Sequence, residues 1–435
     1  MPSLRMKKDG TTMKVRVIAN ELNGKIAAVS SKSDAHRAVI CAALCDGATE
    51  VLLGEFSDDI SATADCLAAM GAQITKTEEG YILGGGAIYG KDATLNCSES
   101  GSTLRFLLPV AAALGGRKTF YGAGRLPSRP VLPLMTALES HNIAFDNKKL
   151  PFVSVGKLKS GEFTVPGNIS SQFISGILLA LPLTDEGGTV AVTDGLQSRG
   201  YVDMTVRTMN KFGVECGKDG EDHYFVKGGS KYVSPGIYRV EGDWSGAAFY
   251  LVGGAISGDV TVSGLDVDSA QADRVILDVL REFGADVSCE GENVRVKSAE
   301  AKPFSVDVSN CPDLFPILAV LACRAHGISR LYNASRLRLK ESDRIATTAA
   351  MLRALSVDVE EQEDALIIHG NGTVKGGAVS GAGDHRIIMS AAIASLMCGS
   401  QGNPSIMITD AESISKSYPS FFRDLLACGG QYYAV

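Results

Sequence analysis

DWSGAAFYLVGGAISG, residues 243–258, begins with polar residues, runs apolar for the length of a helix and stops at glycine. A helix with no polar face must be buried on every side. Five further stretches repeat the pattern: SKSDAHRAVICAALCDG from Ser31, SESGSTLRFLLPVAAALGG from Ser98, NISSQFISGILLALPL from Asn168, SNCPDLFPILAVLACRAHG from Ser309 and GAGDHRIIMSAAIASLMCG from Gly381. The starts recur about every seventy residues, which marks an internal repeat rather than six unrelated helices.

Each buried-helix pattern is followed by an amphipathic one. Three cover residues 60–74, 201–216 and 271–289; the others are PVLPLMTALESHNIAF, ESDRIATTAAMLRALSVDV and YPSFFRDLLACGGQYYAV. Val275, Leu277, Val279, Leu280 and Phe283 recur at helical spacing. Gly71, Gly213, Gly284 and Gly429 then stand where a helix stops, ahead of short β-prone stretches. The unit therefore reads strand, buried helix, strand, amphipathic helix, strand, strand.

Three such units would pack three buried helices inside a shell of sheets and outer helices, so six make two similar domains. A chain of 435 residues is in any case too long for one ordinary core. The junction is expected near residues 238–242. With an N-terminal strand over residues 14–19 completing the second domain, the expected domains are 30–239, and 1–29 with 240–435.

The net charge of −7 argues against a nucleic-acid binder, whereas small anionic substrates need only a local positive pocket. Ten cysteines form no CxxC pair, and Cys41, Cys45, Cys66, Cys323 and Cys398 are expected as buried small hydrophobes in a reduced, cytoplasmic protein. Six histidines form no HExxH motif, so no metal is expected. Every apolar run is broken before the roughly 18 residues of a membrane span. The N-terminal MPSLRMKKDGTTM lacks the apolar centre of a secretory signal and reads as an extension ahead of Met13. GGGAIYG, residues 84–90, lacks a following helix and a Lys-Ser/Thr pair, so it is expected to be a turn rather than a phosphate loop.

Chemistry concentrates at the helix starts. In RLRLKESDR, Arg336, Arg338 and Lys340 alternate with leucines, which places three cations on one face of an extended segment. Lys340 and Arg344 lie four apart, with Glu341 between them beside a helix N-terminus. In SKSDAHR, Lys32 and Arg37 flank N-cap residue types; a cation there opposes the helix dipole unless an anion sits between. Gly101 allows close backbone approach, with Arg105 one turn inside. Ser170, Ser171 and Gln172 supply neutral donors. Asp313 stands at a buried helix start where a carboxylate can act as a base. Asp384, His385 and Arg386 share the sixth start, Arg129 precedes one outer helix and Lys416 another. Such a set suits two multiply anionic small molecules reacting with proton transfers, without metal or organic cofactor.

SKSDAHR, SGSTLR, SRP, SSQ, SRGYVDM, GDWS, PDLFP, KESDR and DHR occur in that order. Over nearly the whole chain this set resembles the 5-enolpyruvylshikimate-3-phosphate synthase family. The resemblance implies an α/β fold, the two-domain inside-out α/β prism with three βαβαββ units per domain around buried helices, closing over its substrates. It implies a monomeric cytoplasmic enzyme that moves the enolpyruvyl group of phosphoenolpyruvate to the 5-hydroxyl of shikimate 3-phosphate. Ser33, Arg37, Ser170, Ser171, Gln172, Ser198, Tyr201, Asp313 and Lys340 would bind shikimate 3-phosphate. Lys32, Gly101, Arg129, Gln172, Arg344, Arg386 and Lys416 would bind phosphoenolpyruvate. Asp313, Glu341 and Lys32 would carry the chemistry, with His385 orienting rather than shuttling protons.

The chain departs from the family pattern at Arg336, where many members have Asn, and at Phe106, where Pro or Leu is common. The first is expected to change a contact to the shikimate ring and the second to shift the helix carrying Gly101. With Gly101 retained, inhibition by glyphosate is expected. A UDP-N-acetylglucosamine enolpyruvyl transferase would carry a loop cysteine before its Arg-Pro, yet no cysteine lies between Cys97 and Cys216. A phosphometabolite-binding protein without catalysis would not need Asp313 and Glu341. An RNA-end-processing relative would need a basic surface.

Overall fold

The computed structural model describes residues 12–18, 21–84, 90–399 and 404–435. The N-terminal extension and most of the 84–90 glycine stretch lie outside them. The chain forms two compact units, residues 32–240, and residues 1–31 with 241–435.

Twelve α-helices lie among the described residues. They are α1 (Lys32–Ala43), α2 (Asp58–Ala69), α3 (Gly101–Leu114), α4 (Leu132–Glu139), α5 (Ser171–Ala180), α6 (Arg199–Lys211), α7 (Trp244–Ile256), α8 (Ile276–Phe283), α9 (Phe315–Arg324), α10 (Arg344–Ala354), α11 (His385–Ala394) and α12 (Phe421–Ala427). The odd-numbered helices are the apolar ones of the repeat. Every residue of α7 and of α11 is buried, as an all-round apolar sequence requires. In the flanking unit α7, α9 and α11 pack on one another. In the inserted unit α3 packs on α5, while α1 packs against α2 and α6.

Local sequence explains where the helices start and stop. Ser57, Ser100, Ser170, Asp243, Asp343 and Asp384 each accept a backbone N–H of the helix they precede. Gly284 ends α8 at φ +103°, a conformation that costs a side chain dearly. Gly176 in α5 serves packing instead: a Cβ there would lie 2.2 Å from the Arg105 carbonyl oxygen of α3. Gly176→Ala would therefore force α3 and α5 apart.

Six four-stranded sheets lie among the described residues, all with one parallel and two antiparallel pairings. In the third repeat the strand Gly161–Pro166 runs parallel to Gly188–Thr193 across α5, and Cys216–Lys218 and His223–Val226 follow antiparallel. The expected order of strands and helices is present. The leading strands hold a difference. Leu22–Ala27 directly precedes α1 but pairs with Gly258–Ser263, in the sheet beside α7. Ile237–Arg239 directly precedes α7 but pairs with Thr49–Leu52, in the sheet of the first repeat. Val15–Ile18 fills the last repeat, between Ile406–Ile408 and the C-terminal Gln431–Ala434. Each unit is thus closed by a strand distant in sequence from the rest of its sheet.

Candidate functional site

The inserted unit carries the first set of candidate residues at the starts of α1, α3, α5 and α6. Lys32 opens α1, and its Nζ lies 2.9 Å from Asp59 Oδ2 in the first turn of α2. The anion that a cation at a helix start requires is therefore one of the protein's own. Arg37, one turn on, is buried: Nε donates to Thr205 Oγ1 at 2.7 Å, and its terminal nitrogens donate to the carbonyl oxygens of Tyr201 (2.7 Å) and Ser33. Burial pushes its guanidinium down to about 10, against the opposing pull of Asp34. Its carbon Cζ sits 4.9 Å from the centre of the Phe106 ring. The departure at Phe106 thus forms the platform under Arg37, a cation–π contact.

Gly101 opens α3 against two guanidinium groups. A Cβ on it would lie 2.8 Å from an Arg129 terminal nitrogen and 3.0 Å from one of Arg105. The glycine admits the arginines rather than a neighbouring helix. Arg105, buried, donates to the Pro130 carbonyl oxygen at 2.9 and 3.2 Å and to Gln172 Oε1 at 2.7 Å. Gln172 Nε2 donates in turn to Ser102 Oγ at 2.8 Å, so both ends of its amide are held by α3. Ser170 caps α5, accepting from Gln172 N at 3.3 Å. Ser198 precedes α6 with φ +56° and ψ +43°, the left-handed region that a non-glycine residue seldom enters. Such strain is held in place by its surroundings and concentrates at functional positions.

The flanking unit carries the second set, at the starts of α9, α10 and α11. Arg344 is fully buried among three carboxylates. Nε donates to Asp384 Oδ2 at 2.9 Å, one terminal nitrogen to Asp313 Oδ1 at 2.6 Å, and the other to Glu341 Oε2 at 2.8 Å. Lys340 Nζ approaches the same Asp313 oxygen at 3.5 Å, and Arg386 approaches Asp313 Oδ2 at 3.4 Å. Burial alone would push the Asp313 carboxyl up. Lys340, Arg386 and Arg344 outweigh it and hold the group well below the usual carboxylate range. Burial pulls Lys340 below its ordinary 10.5, despite the attraction of Asp313. Arg386 is buried and held by Ser245, Lys416 Nζ donates to the Gly383 carbonyl oxygen at 2.9 Å, and His385 is buried in the first turn of α11.

One expectation is corrected. Residues 335–339 form a 3-10 turn rather than an extended segment, so the three cations do not share a face. Leu337 is buried while Leu339 is 45% exposed, because a three-residue turn cannot bury residues two apart. Arg336 donates to the Ser309 carbonyl oxygen at 2.8 Å. Arg338 turns to Asp343 and Glu361, away from the cluster, whereas Lys340 reaches Asp313. Sequence reasoning gave no contact role to Asp59, Ser102, Ser245 or Asp384. Asp384 was visible as a polar helix start, but its grip on Arg344 joins residues forty apart and leaves no local signal.

Among the described residues no three or more metal-ligating side chains are grouped to hold an ion, and no helix is long and apolar enough to cross a membrane. The sequence model for EPSP synthase (3-phosphoshikimate 1-carboxyvinyltransferase) matches residues 17–425. The 3-phosphoshikimate 1-carboxyvinyltransferase of Clostridium kluyveri is 40% identical over 420 residues, covering 96% of this chain and 97% of the relative. That of Methanocorpusculum labreanum is 39% identical over 422 residues, covering 96% and 99%. The EPSP synthase of Acinetobacter baumannii superimposes with a TM-score of 0.81 at 25% identity, over 98% of this chain and 100% of that one. The enolpyruvyl transferase NikO of Streptomyces tendae shares the fold, with a TM-score of 0.80 at 16% identity over 98% and 99%. The two units of three repeats are the inside-out α/β prism of these enzymes, and the chain belongs to the EPSP synthase family.

Proposed function

We propose that this chain transfers the enolpyruvyl group of phosphoenolpyruvate to the 5-hydroxyl of shikimate 3-phosphate, releasing phosphate, as a monomeric cytoplasmic enzyme. The observation that carries the mechanism is the bridging of Asp313 and Glu341 by Arg344, with Lys340 and Arg386 on Asp313. Addition needs a base for the hydroxyl proton and an acid for the methylene carbon.

Asp313 takes the proton of the 5-hydroxyl as its oxygen bonds to C2 of phosphoenolpyruvate. Glu341 delivers a proton to C3, and Lys32 stabilises the charge that develops. In the resulting tetrahedral adduct, Glu341, now a carboxylate, takes a proton back from C3; that C–H pair reforms the double bond as the C2–O bond breaks and phosphate leaves with the bonding electrons. Asp313 is too weak a base while three cations surround it. Substrate phosphate and carboxylate groups that engage Lys340, Arg344 and Arg386 relieve that suppression and raise its basicity where the proton must be taken.

Ser170, Ser171 and Ser198 hold the shikimate phosphate, with Ser33, Arg37, Gln172, Tyr201, Lys340 and Asp313 on the rest of that substrate. Arg37 supports this surface from beneath through the Ser33 and Tyr201 carbonyl oxygens. Lys32, Gly101, Arg129, Gln172, Arg344, Arg386 and Lys416 bind phosphoenolpyruvate, and His385 orients its neighbours. The test is phosphate release from phosphoenolpyruvate with shikimate 3-phosphate in one reaction and UDP-N-acetylglucosamine in the other. Release with the first alone is expected; release with the second alone would assign the chain to the other chemistry.

A further inference from the structure

Arg386 is gripped at its far end by one residue. One terminal nitrogen donates to the Ser245 carbonyl oxygen at 3.0 Å, and the other to Ser245 Oγ at 2.7 Å. The Ser245 hydroxyl has a single proton, which it donates to Asp243 Oδ1 at 2.8 Å. Its lone pairs therefore face the guanidinium, and the chain runs from carboxylate through hydroxyl to cation. Arg386, Ser245 and Asp243 are all buried, and the Phe249 ring centre lies 5.8 Å from Arg386 Cζ.

This grip decides which N–H groups remain. The second hydrogen of one terminal nitrogen points toward Asp313 Oδ2 at 3.4 Å, too long for a strong bond. Arg386 Nε–H, buried, has no partner among the described residues. A buried donor without an acceptor is costly until an acceptor arrives. An anionic oxygen of a phosphate or carboxylate beside Nε would satisfy it.

We propose that Ser245 is a positioning residue for phosphoenolpyruvate: by holding both terminal nitrogens of Arg386, it keeps Nε–H and the N–H beside Asp313 turned toward the incoming anion. The proposal rests on the assignment of Arg386 to phosphoenolpyruvate given above. Capping α7 does not require the hydroxyl, since Asp243 Oδ1 accepts the Ser245 backbone N–H at 3.0 Å whatever the side chain. Ser245→Ala removes one anchor of Arg386 and leaves the helix start intact.

The test is steady-state kinetics with each substrate varied, together with the melting temperature. Ser245→Ala is expected to raise the KM for phosphoenolpyruvate about tenfold, as for loss of a hydrogen bond to a charged group, with kcat and the KM for shikimate 3-phosphate within about twofold. Ser245→Thr restores the hydroxyl and should recover most of the loss. Added to Arg386→Lys, Ser245→Ala should cost little more, because the two act as one unit. An unchanged phosphoenolpyruvate KM in Ser245→Ala, with Arg386→Lys impaired, overturns the role of Ser245 alone. Indifference of that KM to Arg386→Lys overturns the assignment of Arg386 and the proposal with it. Equal rises in both KM values with a lowered melting temperature, or failure of a normally melting Ser245→Thr to recover, also overturn it.

Discussion

The two units hold their candidate residues in different ways. In the inserted unit, neutral hydroxyls and an amide are fixed by neighbouring helices, Gln172 by Arg105 and Ser102 and Ser170 by its own helix start, while the cations stand apart, Lys32 on Asp59 and Arg37 on carbonyl oxygens. In the flanking unit, cations and carboxylates neutralise one another around Arg344. Neutral donors can stand ready for a phosphate at little cost. Buried charges cannot, and must be paired or hydrogen-bonded until a substrate exchanges partners with them. On the proposed assignment, the shikimate phosphate is recognised in the first region and the two proton-transferring carboxylates lie in the second.

The strongest way to break this division is Asp313→Asn, which keeps the shape but removes the base. A fall in kcat of about 10³-fold is expected for loss of general-base catalysis, with shikimate 3-phosphate still bound in calorimetric titration. Retained turnover would move the chemistry elsewhere. Asp384→Asn comes next, because it leaves Arg344 buried with one partner weakened. Removing one member of a buried ion pair costs about 3–5 kcal/mol, to be read from urea denaturation, and a loss below 1 kcal/mol would show that the cluster is not tightly coupled.

Gly101→Ala probes the point where the first region is proposed to reach phosphoenolpyruvate. The added Cβ must push aside the tips of Arg129 and Arg105, so the KM for phosphoenolpyruvate should rise about tenfold, the size expected for one weakened charge-assisted contact. Inhibition by glyphosate should be lost in the variant and present in the wild type; a resistant wild type would refute the expectation. Ser170→Ala should be milder, raising the KM for shikimate 3-phosphate severalfold and costing about 1 kcal/mol of stability through the lost helix cap.

The smallest effect sharpens the comparison through pH. On the proposed mechanism, the form that binds shikimate 3-phosphate has Asp313 ionised and Lys340 protonated. Since Asp313 is held below the usual carboxylate range, kcat/KM should keep its acid side flat to lower pH than an ordinary carboxyl allows. Since Lys340 is lowered, kcat/KM for shikimate 3-phosphate should begin to fall before an ordinary lysine titrates at 10.5. Lys340→Arg should shift that alkaline limb upward; an unmoved limb would assign it to another group.

The repeats, the buried helices and the outer helices were legible because composition along a helix reports burial directly. The cations at helix starts were legible too, as in SKSDAHR and DHR. Two things were not. The alternation of leucine and cation in residues 336–340 fits a strand as well as a short turn, and only packing of Leu337 but not Leu339 decides between them. The contacts of Asp384 with Arg344, and of Ser245 with Arg386, depend on the spatial adjacency of different repeats, which no local pattern records.

The strands at the crossings carry a consequence for the order of synthesis. The inserted unit is contiguous, and its first sheet is complete once Ile237–Arg239 has been made. The flanking unit begins earlier on the ribosome but finishes last, since Val15–Ile18 waits for Gln431–Ala434. An emerging chain can therefore close its middle before its beginning. Among the described residues, the first strand pairs with none until more than three hundred and eighty residues, about nine-tenths of this sequence, have followed it.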